Sequence, residues 1–135
     1  MPEDKNKILL VEDDPFLSSL LKNRLEKEKF EVTPAHDGPE ALKILKSQTF
    51  DLILLDIILP GKSGFDVLEE VQADPQMQDK RSIPVIVISN LGQESDMERG
   101  RELGVIDYFV KARISIDDLV KKVGNIISQK TVKPS

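Results

Sequence analysis

The chain has 135 residues, 39% of them hydrophobic and 32% charged, which is a globular balance at the size of one domain. Its net charge is −5, so it lacks the basic face that a duplex-binding surface needs, and direct nucleic-acid binding is not expected. It contains no cysteine, which removes a disulfide frame, thiolate metal sites and a thiol nucleophile. No apolar run approaches the ~20 residues that cross a bilayer. The polar start, MPEDKNK, has no signal-peptide core, so the expectation is a cytoplasmic protein without membrane insertion.

Lys7 to Val11, KILLV, reads as a buried strand that stops at Glu12, Asp13 and Asp14. Asp14 can cap the next helix, with Pro15 at its first position, where a missing N–H costs nothing. Phe16, Leu17, Leu20, Leu21 and Leu25 recur at helical spacing, and Arg24, Glu26, Lys27 and Glu28 form the solvated side. Phe30 to Ala35 is a weaker strand, and Pro34 inside it favours an edge position. The lone His36 is an ordinary loop residue, because no second ligand type stands beside it.

Asp37 and Gly38 form a turn, and Pro39 begins a second helix with Ala41, Leu42 and Leu45 inward. Leu52 to Leu55 is apolar without alternation, the pattern of a strand buried on both faces in a parallel sheet. Asp56 ends that run, and Pro60, Gly61 and Gly64 soon break the chain. Gly64 to Ala73 is a third helix, with Phe65, Leu68 and Val71 on one face. Residues 73–84, ADPQMQDKRSIP, read as a polar loop. Val85 to Ile88 is a buried strand ending in Ser89 and Asn90. Glu94 to Leu103 is a charged helix with few apolar anchors and should be the least firmly packed; Gly104 stops it. Ile106 to Val110 is a fifth strand, ending at Lys111. Ser115 caps a last helix with a stripe of Leu119, Val120, Val123, Ile126 and Ile127. There is no internal repeat and no linker to a second domain.

Strands alternating with helices predict an α/β fold, a doubly wound five-stranded parallel sheet with five helices on its two faces. Right-handed crossovers and the order 2-1-3-4-5, flavodoxin-like, put the first and third strands side by side at the switch point, where ligands bind. Glu12 with Asp13, then Asp56, Ser89 and Lys111, would then share one sheet edge. Clustered carboxylates repel and call for a cation, and all-oxygen donors favour a hard ion such as Mg²⁺. A carboxylate can attack phosphorus to give an aspartyl phosphate, a transfer that depends on positioning and charge neutralisation. The alternative is a salt-bridged polar rim with no chemistry.

At these residues the sequence resembles a response-regulator receiver domain of two-component signalling, similar to the stand-alone chemotaxis-type regulators. The matching motifs are VEDD after the first strand, LLDIILPGKSG around Asp56, VISN at Ser89, and DYFVK ending in Lys111. The resemblance runs from about Lys7 to Ile127, within a single domain spanning 1–135 whose residues 129–135 are expected to fray. It implies that Asp56 accepts a phosphoryl group, with Ser89 and Lys111 serving the transfer. Glu12, Asp13, Asp56 and the backbone carbonyl of Ile58 would hold Mg²⁺. Ser89 and Tyr108 would be the switch pair, Tyr108 turning inward on phosphorylation. Further implied are a histidine kinase or histidine-containing phosphotransfer protein as donor, an unidentified downstream protein target, and a monomer or weak homodimer. It also implies no turnover of an external substrate beyond autodephosphorylation.

Ser89 replaces the commoner threonine, Asn90 stands where a smaller residue is usual, and Ala112 follows Lys111 where the family has proline. A cis bond before alanine costs ~2.5–4 kcal/mol, so the Lys111–Ala112 bond is expected trans, with Lys111 still reaching the carboxylates. Three other readings compete. A haloacid-dehalogenase-like phosphatase needs a general acid two residues after its nucleophile, where Ile58 stands. A flavin module would want a glycine-rich phosphate loop where EDDPF stands. A scaffold that is never phosphorylated would not need the full set of chemical residues.

Overall fold

The structure is a computed structural model that describes residues 5–90 and 93–131, with side chains described through residue 129. The elements in order are β1 (Lys7–Val11), α1 (Pro15–Lys27), β2 (Glu31–Ala35), α2 (Gly38–Ser47), β3 (Leu52–Leu55), α3 (Gly64–Ala73), β4 (Val85–Ser89), α4 (Glu94–Glu102), β5 (Val105–Val110) and α5 (Ile116–Thr131). The strands form one parallel sheet in the order β2-β1-β3-β4-β5, as the alternation of elements predicts. Pro34 lies on β2, which is an edge strand.

The period-2 geometry of a strand splits the core into two layers. Ile8, Leu10, Leu52, Leu54, Ile86 and Ile88 face one side, where Leu21 and Leu25 of α1 and Leu119, Val123 and Ile127 of α5 cover them. Leu9, Val11, Ile53, Leu55, Val85 and Val87 face the other, beneath Ala41 and Leu45 of α2 and Phe65, Leu68 and Val71 of α3. α4 adds only Gly100 to the buried set. It is tied to α3 through Arg99, which pairs with Glu69 at 2.8 Å and lies 4.7 Å from the Phe65 ring centroid. The sparse burial of α4 agrees with its charged sequence.

The capping signals act as read. Asp14 accepts from the amides of Phe16 and Leu17, and Ser115 from that of Asp118, while Asp37, read as part of a turn, caps α2 by accepting from the Glu40 amide, and Gly38 is already helical. Gly104 takes φ +88° after α4. No peptide bond among the described residues is cis, so Lys111–Ala112 is trans, and a short 3₁₀ turn spans Lys111–Arg113.

Three expectations need correction. Phe16 is 87% exposed and Leu20 48%, so the inward column of α1 is Leu21 and Leu25, with Leu17 half-buried. The stretch read as a polar loop contains 3₁₀ turns over Pro75–Lys80 and sends Met77 and Lys80 into the interior. The Lys80 ammonium donates to the carbonyls of Leu45 and Gln48, which α2 leaves unpaired at its C-terminus. Residues 129–131, expected to fray, continue α5, which runs to Thr131; the rest of the expected tail, 132–135, lies outside the described residues. Among the described residues no helix is long and apolar enough to cross a membrane.

Candidate functional site

All the strand-end residues lie on the carboxyl edge of the sheet, at the switch point between β1 and β3. Glu12 and Asp13 follow β1, Asp56 follows β3, Ser89 is the last residue of β4, and Lys111 follows β5. The backbone holds the two inner carboxylates in place. The Glu12 amide donates to Ala35 at 3.0 Å and the Asp56 amide to Val11 at 2.9 Å, so both residues still belong to the ladder. Burial follows: Glu12 is 0% exposed and Asp56 3%, while Asp13 is exposed.

Carboxylate oxygens of Glu12, Asp13 and Asp56 lie within 4.8 Å of one another. The Lys111 ammonium sits between the inner pair, 2.7 Å from Asp56 Oδ2 and 2.8 Å from Glu12 Oε1. The other oxygens take backbone donors: Asp56 Oδ1 from the Ile58 amide at 3.1 Å, and Glu12 Oε2 from the Asp14 amide at 3.0 Å. Glu12 Oε1 is buried, and the Lys111 ammonium 2.8 Å away is its counter-charge. A buried anionic oxygen in that state has a lone pair to give a cation. With an all-oxygen donor set around it, the cluster fits a hard divalent ion such as Mg²⁺.

Burial raises the Glu12 carboxyl above its ordinary 4.5, and the Asp56 charge adds to the rise; the Lys111 contact and the Asp14 amide only partly offset this. For Lys111, burial acts to lower the ammonium, but the contacts with Asp56 and Glu12 outweigh it and the net shift is upward. The cluster therefore joins a Glu12 carboxylate that costs energy to keep charged to an ammonium that Asp56 and Glu12 hold charged.

Ser89 is fully buried and Tyr108 half-buried against the α2–α3 layer. Tyr108 is raised by burial and by the charges of Asp96 and Asp56, while a hydrogen bond with the Ser89 side chain acts the other way. The two residues of the expected switch pair are thus linked side chain to side chain. Asn90 is exposed beside the site. Ile58 is anchored through its amide and leaves its side chain 56% exposed.

Two glycines that the sequence reading treated only as chain breakers prove to be spatial requirements. A Cβ on Gly64 would stand 2.4 Å from the Asp56 carbonyl oxygen, and one on Gly38 would stand 2.7 Å from both Cβ and O of Lys62. The spacing of PGKSG after Asp56 was the only sequence signal for the first; nothing signalled the second.

A family model described as the response regulator receiver domain matches residues 8–124. The chain is 46% identical over 106 residues to the transcriptional regulatory protein CpxR of Klebsiella pneumoniae, a match covering 78% of this chain and 43% of that protein. It is 37% identical over 120 residues to the sensory transduction protein RegX3 of Mycolicibacterium smegmatis, covering 89% of this chain and 50% of that one. The chain thus spans half or less of the length of these curated relatives. Among solved structures, the non-phosphorylated HemR receiver domain from Leptospira biflexa superposes with a TM-score of 0.82 at 30% identity, covering 97% of this chain and 99% of that one.

Proposed function

The chain belongs to the response regulator receiver domain family of two-component signalling, and from that premise we propose that it is a phosphorylation-driven switch whose acceptor is Asp56. The donor is a phosphohistidine on a histidine kinase or a phosphotransfer protein. An Asp56 carboxylate oxygen attacks phosphorus; the O–P bond forms and the N–P bond breaks. The imidazole leaves with the electron pair and takes up a proton. The observation that carries this reading is the Lys111 ammonium 2.7 Å from Asp56, an acceptor carboxylate kept beside a fixed positive charge at the switch point of the sheet.

Mg²⁺, held by Glu12, Asp13, Asp56 and the Ile58 carbonyl, would supply charge neutralisation at the phosphoryl oxygens. Lys111 supplies the same service from the end of β5, on the same edge of the sheet. The Ser89 hydroxyl donates to a phosphoryl oxygen and in doing so exchanges its contact with Tyr108 for one with the phosphate. That exchange links the site to β5 and to the weakly anchored α4, the elements best able to move. Output goes to a protein partner. The net charge of −5 offers no nucleic-acid surface on this domain. Loss of the phosphoryl group to water is the only turnover.

Incubation with Mg²⁺ and a small acyl phosphate, with intact mass as readout, tests the proposal. The chain should gain one phosphoryl group, and Asp56→Asn should gain none, because a neutral amide is not a nucleophile toward phosphorus. Equal gain by the variant overturns the assignment.

A further inference from the structure

Gly38 lies in the first turn of α2, far in sequence from Asp56, and three facts set it apart. Its φ is not in the left-handed region, which among the described glycines is occupied by Gly61 and Gly104. A helix position without that demand is ordinarily better filled by alanine, the stronger helix former. Yet a Cβ here would stand 2.7 Å from Lys62 Cβ, 2.7 Å from Lys62 O and 3.2 Å from Lys62 C, and the last two are backbone atoms that cannot rotate away. The glycine is explained by what packs on it: the loop between β3 and α3.

That loop is a closed unit. The Gly64 amide donates to the Ile57 carbonyl at 2.8 Å, the Lys62 amide to the Pro60 carbonyl at 3.0 Å, and Ser63 and Asp66 form a reciprocal cap over the start of α3. Gly61, at φ +80°, brings the loop back toward α2, where a Cβ would meet Pro39 Cδ at 3.2 Å. The same loop contains Ile58, whose amide holds Asp56 Oδ1 at 3.1 Å. A push on Lys62 therefore passes, through the loop backbone and its hydrogen bonds to Pro60 and Ile57, to the residue that orients the acceptor carboxylate.

We propose that Gly38, seated under Lys62, is a positioning residue for the acceptor loop: the α2 N-terminus sets the height of the Ile57–Ile58 backbone against Asp56 and so tunes Mg²⁺ affinity and phosphoryl acceptance. This inference rests on the phosphoryl-acceptor reading above. It requires no contact between Gly38 and any ligand.

The test measures Mg²⁺ affinity by calorimetry and the rate of acyl-phosphate labelling by mass. The proteins compared are the native chain, Gly38→Ala, Lys62→Gly and the double variant. Val32→Ala, a truncation in the layer on the opposite face of the sheet, is the control for simple loss of stability. Gly38→Ala should bind Mg²⁺ and accept phosphate about tenfold less well, the usual scale for residues that orient a metal site from outside it. The effect of Gly38→Ala should shrink in part in the Lys62→Gly background, where the approach to Lys62 Cβ is gone and that to Lys62 O remains, and the pair should be non-additive. Val32→Ala should lower the melting temperature and leave Mg²⁺ affinity unchanged. Native affinity in a folded Gly38→Ala, additive effects of the pair, or an equal loss of affinity in Val32→Ala overturns the inference. If Gly38→Ala does not fold, Gly61→Ala presses the same loop against Pro39, the next residue of α2, and native affinity there overturns the inference equally. A native chain that binds Mg²⁺ but takes no phosphoryl group defeats the functional reading, while the affinity comparison still decides the role of Gly38.

Discussion

Replacing Lys111 by methionine keeps most of the stem and removes the charge that lies between Glu12 and Asp56. Both carboxylates are buried, at 0% and 4% side-chain exposure, and the ammonium is 2.8 and 2.7 Å from them. Removing one partner of a buried ion pair costs ~3–5 kcal/mol, because the other charge is left uncompensated. Lys111 is itself 21% exposed, so solvent screening puts the loss at the low end, about 3 kcal/mol. For a domain of this size that corresponds to a fall in melting temperature of roughly 10 °C. The upward shift of the Lys111 ammonium means its contribution is complete below its ordinary 10.5 and is lost as pH rises through the higher folded value. The gap between the two proteins should therefore close in strong alkali. Mg²⁺ supplies the missing positive charge, so the variant should gain more from it than the native chain does; at a hundredfold excess over Kd, binding contributes ~2.7 kcal/mol. Melting curves with and without Mg²⁺ give the answer. An equal fall in both conditions, or no fall without metal, would refute the proposed role of the ammonium as the resident counter-charge.

Three further outcomes follow from single sites. Lys80→Met should lower stability by about 2 kcal/mol in chemical denaturation, since two carbonyls at the end of α2 lose their donor; an unchanged midpoint would mean water replaces the ammonium freely. Lys29, at φ +72° just after α1, occupies a conformation that favours glycine, and Lys29→Gly should stabilise by about 1 kcal/mol in the same assay. Glu12→Gln bears on pH. The raised Glu12 carboxyl makes the folded state bind protons more tightly than the unfolded one, so native stability falls as pH rises from 4.5 through the folded value. The metal-free glutamine variant lacks that slope, and its advantage should grow over that window and then level off; a constant difference would contradict the burial argument.

The sheet was legible in the sequence because its strands are short runs of aliphatic residues ending abruptly in charge. KILLV before Glu12 and LILL before Asp56 each specify an interior strand and mark its exit, and strand-end chemistry then follows from topology. Helix α1 was only half legible. Its leucines and phenylalanine occupy two adjacent columns, and spacing does not reveal that one column overhangs the sheet and leaves Phe16 in solvent. The 75–80 stretch was misread because a lysine counts as a solvated residue, whereas Lys80 enters the interior to satisfy carbonyls on an element distant in sequence. Gly38 was opaque for the same reason: its constraint comes from Lys62, and local pattern holds no record of a contact made across the fold.

Covalent mapping of the acceptor puts the phosphoryl-transfer reading to its sharpest trial. After labelling with an acyl phosphate and Mg²⁺, borohydride reduces an aspartyl phosphate to homoserine, and peptide sequencing by mass locates it. Homoserine should appear at position 56 alone, in the labelled sample and in neither the metal-free sample nor Asp56→Asn. Homoserine at position 13, reduction of Glu12, or no reduced residue in a chain that has gained a phosphoryl group would contradict Asp56 as the acceptor.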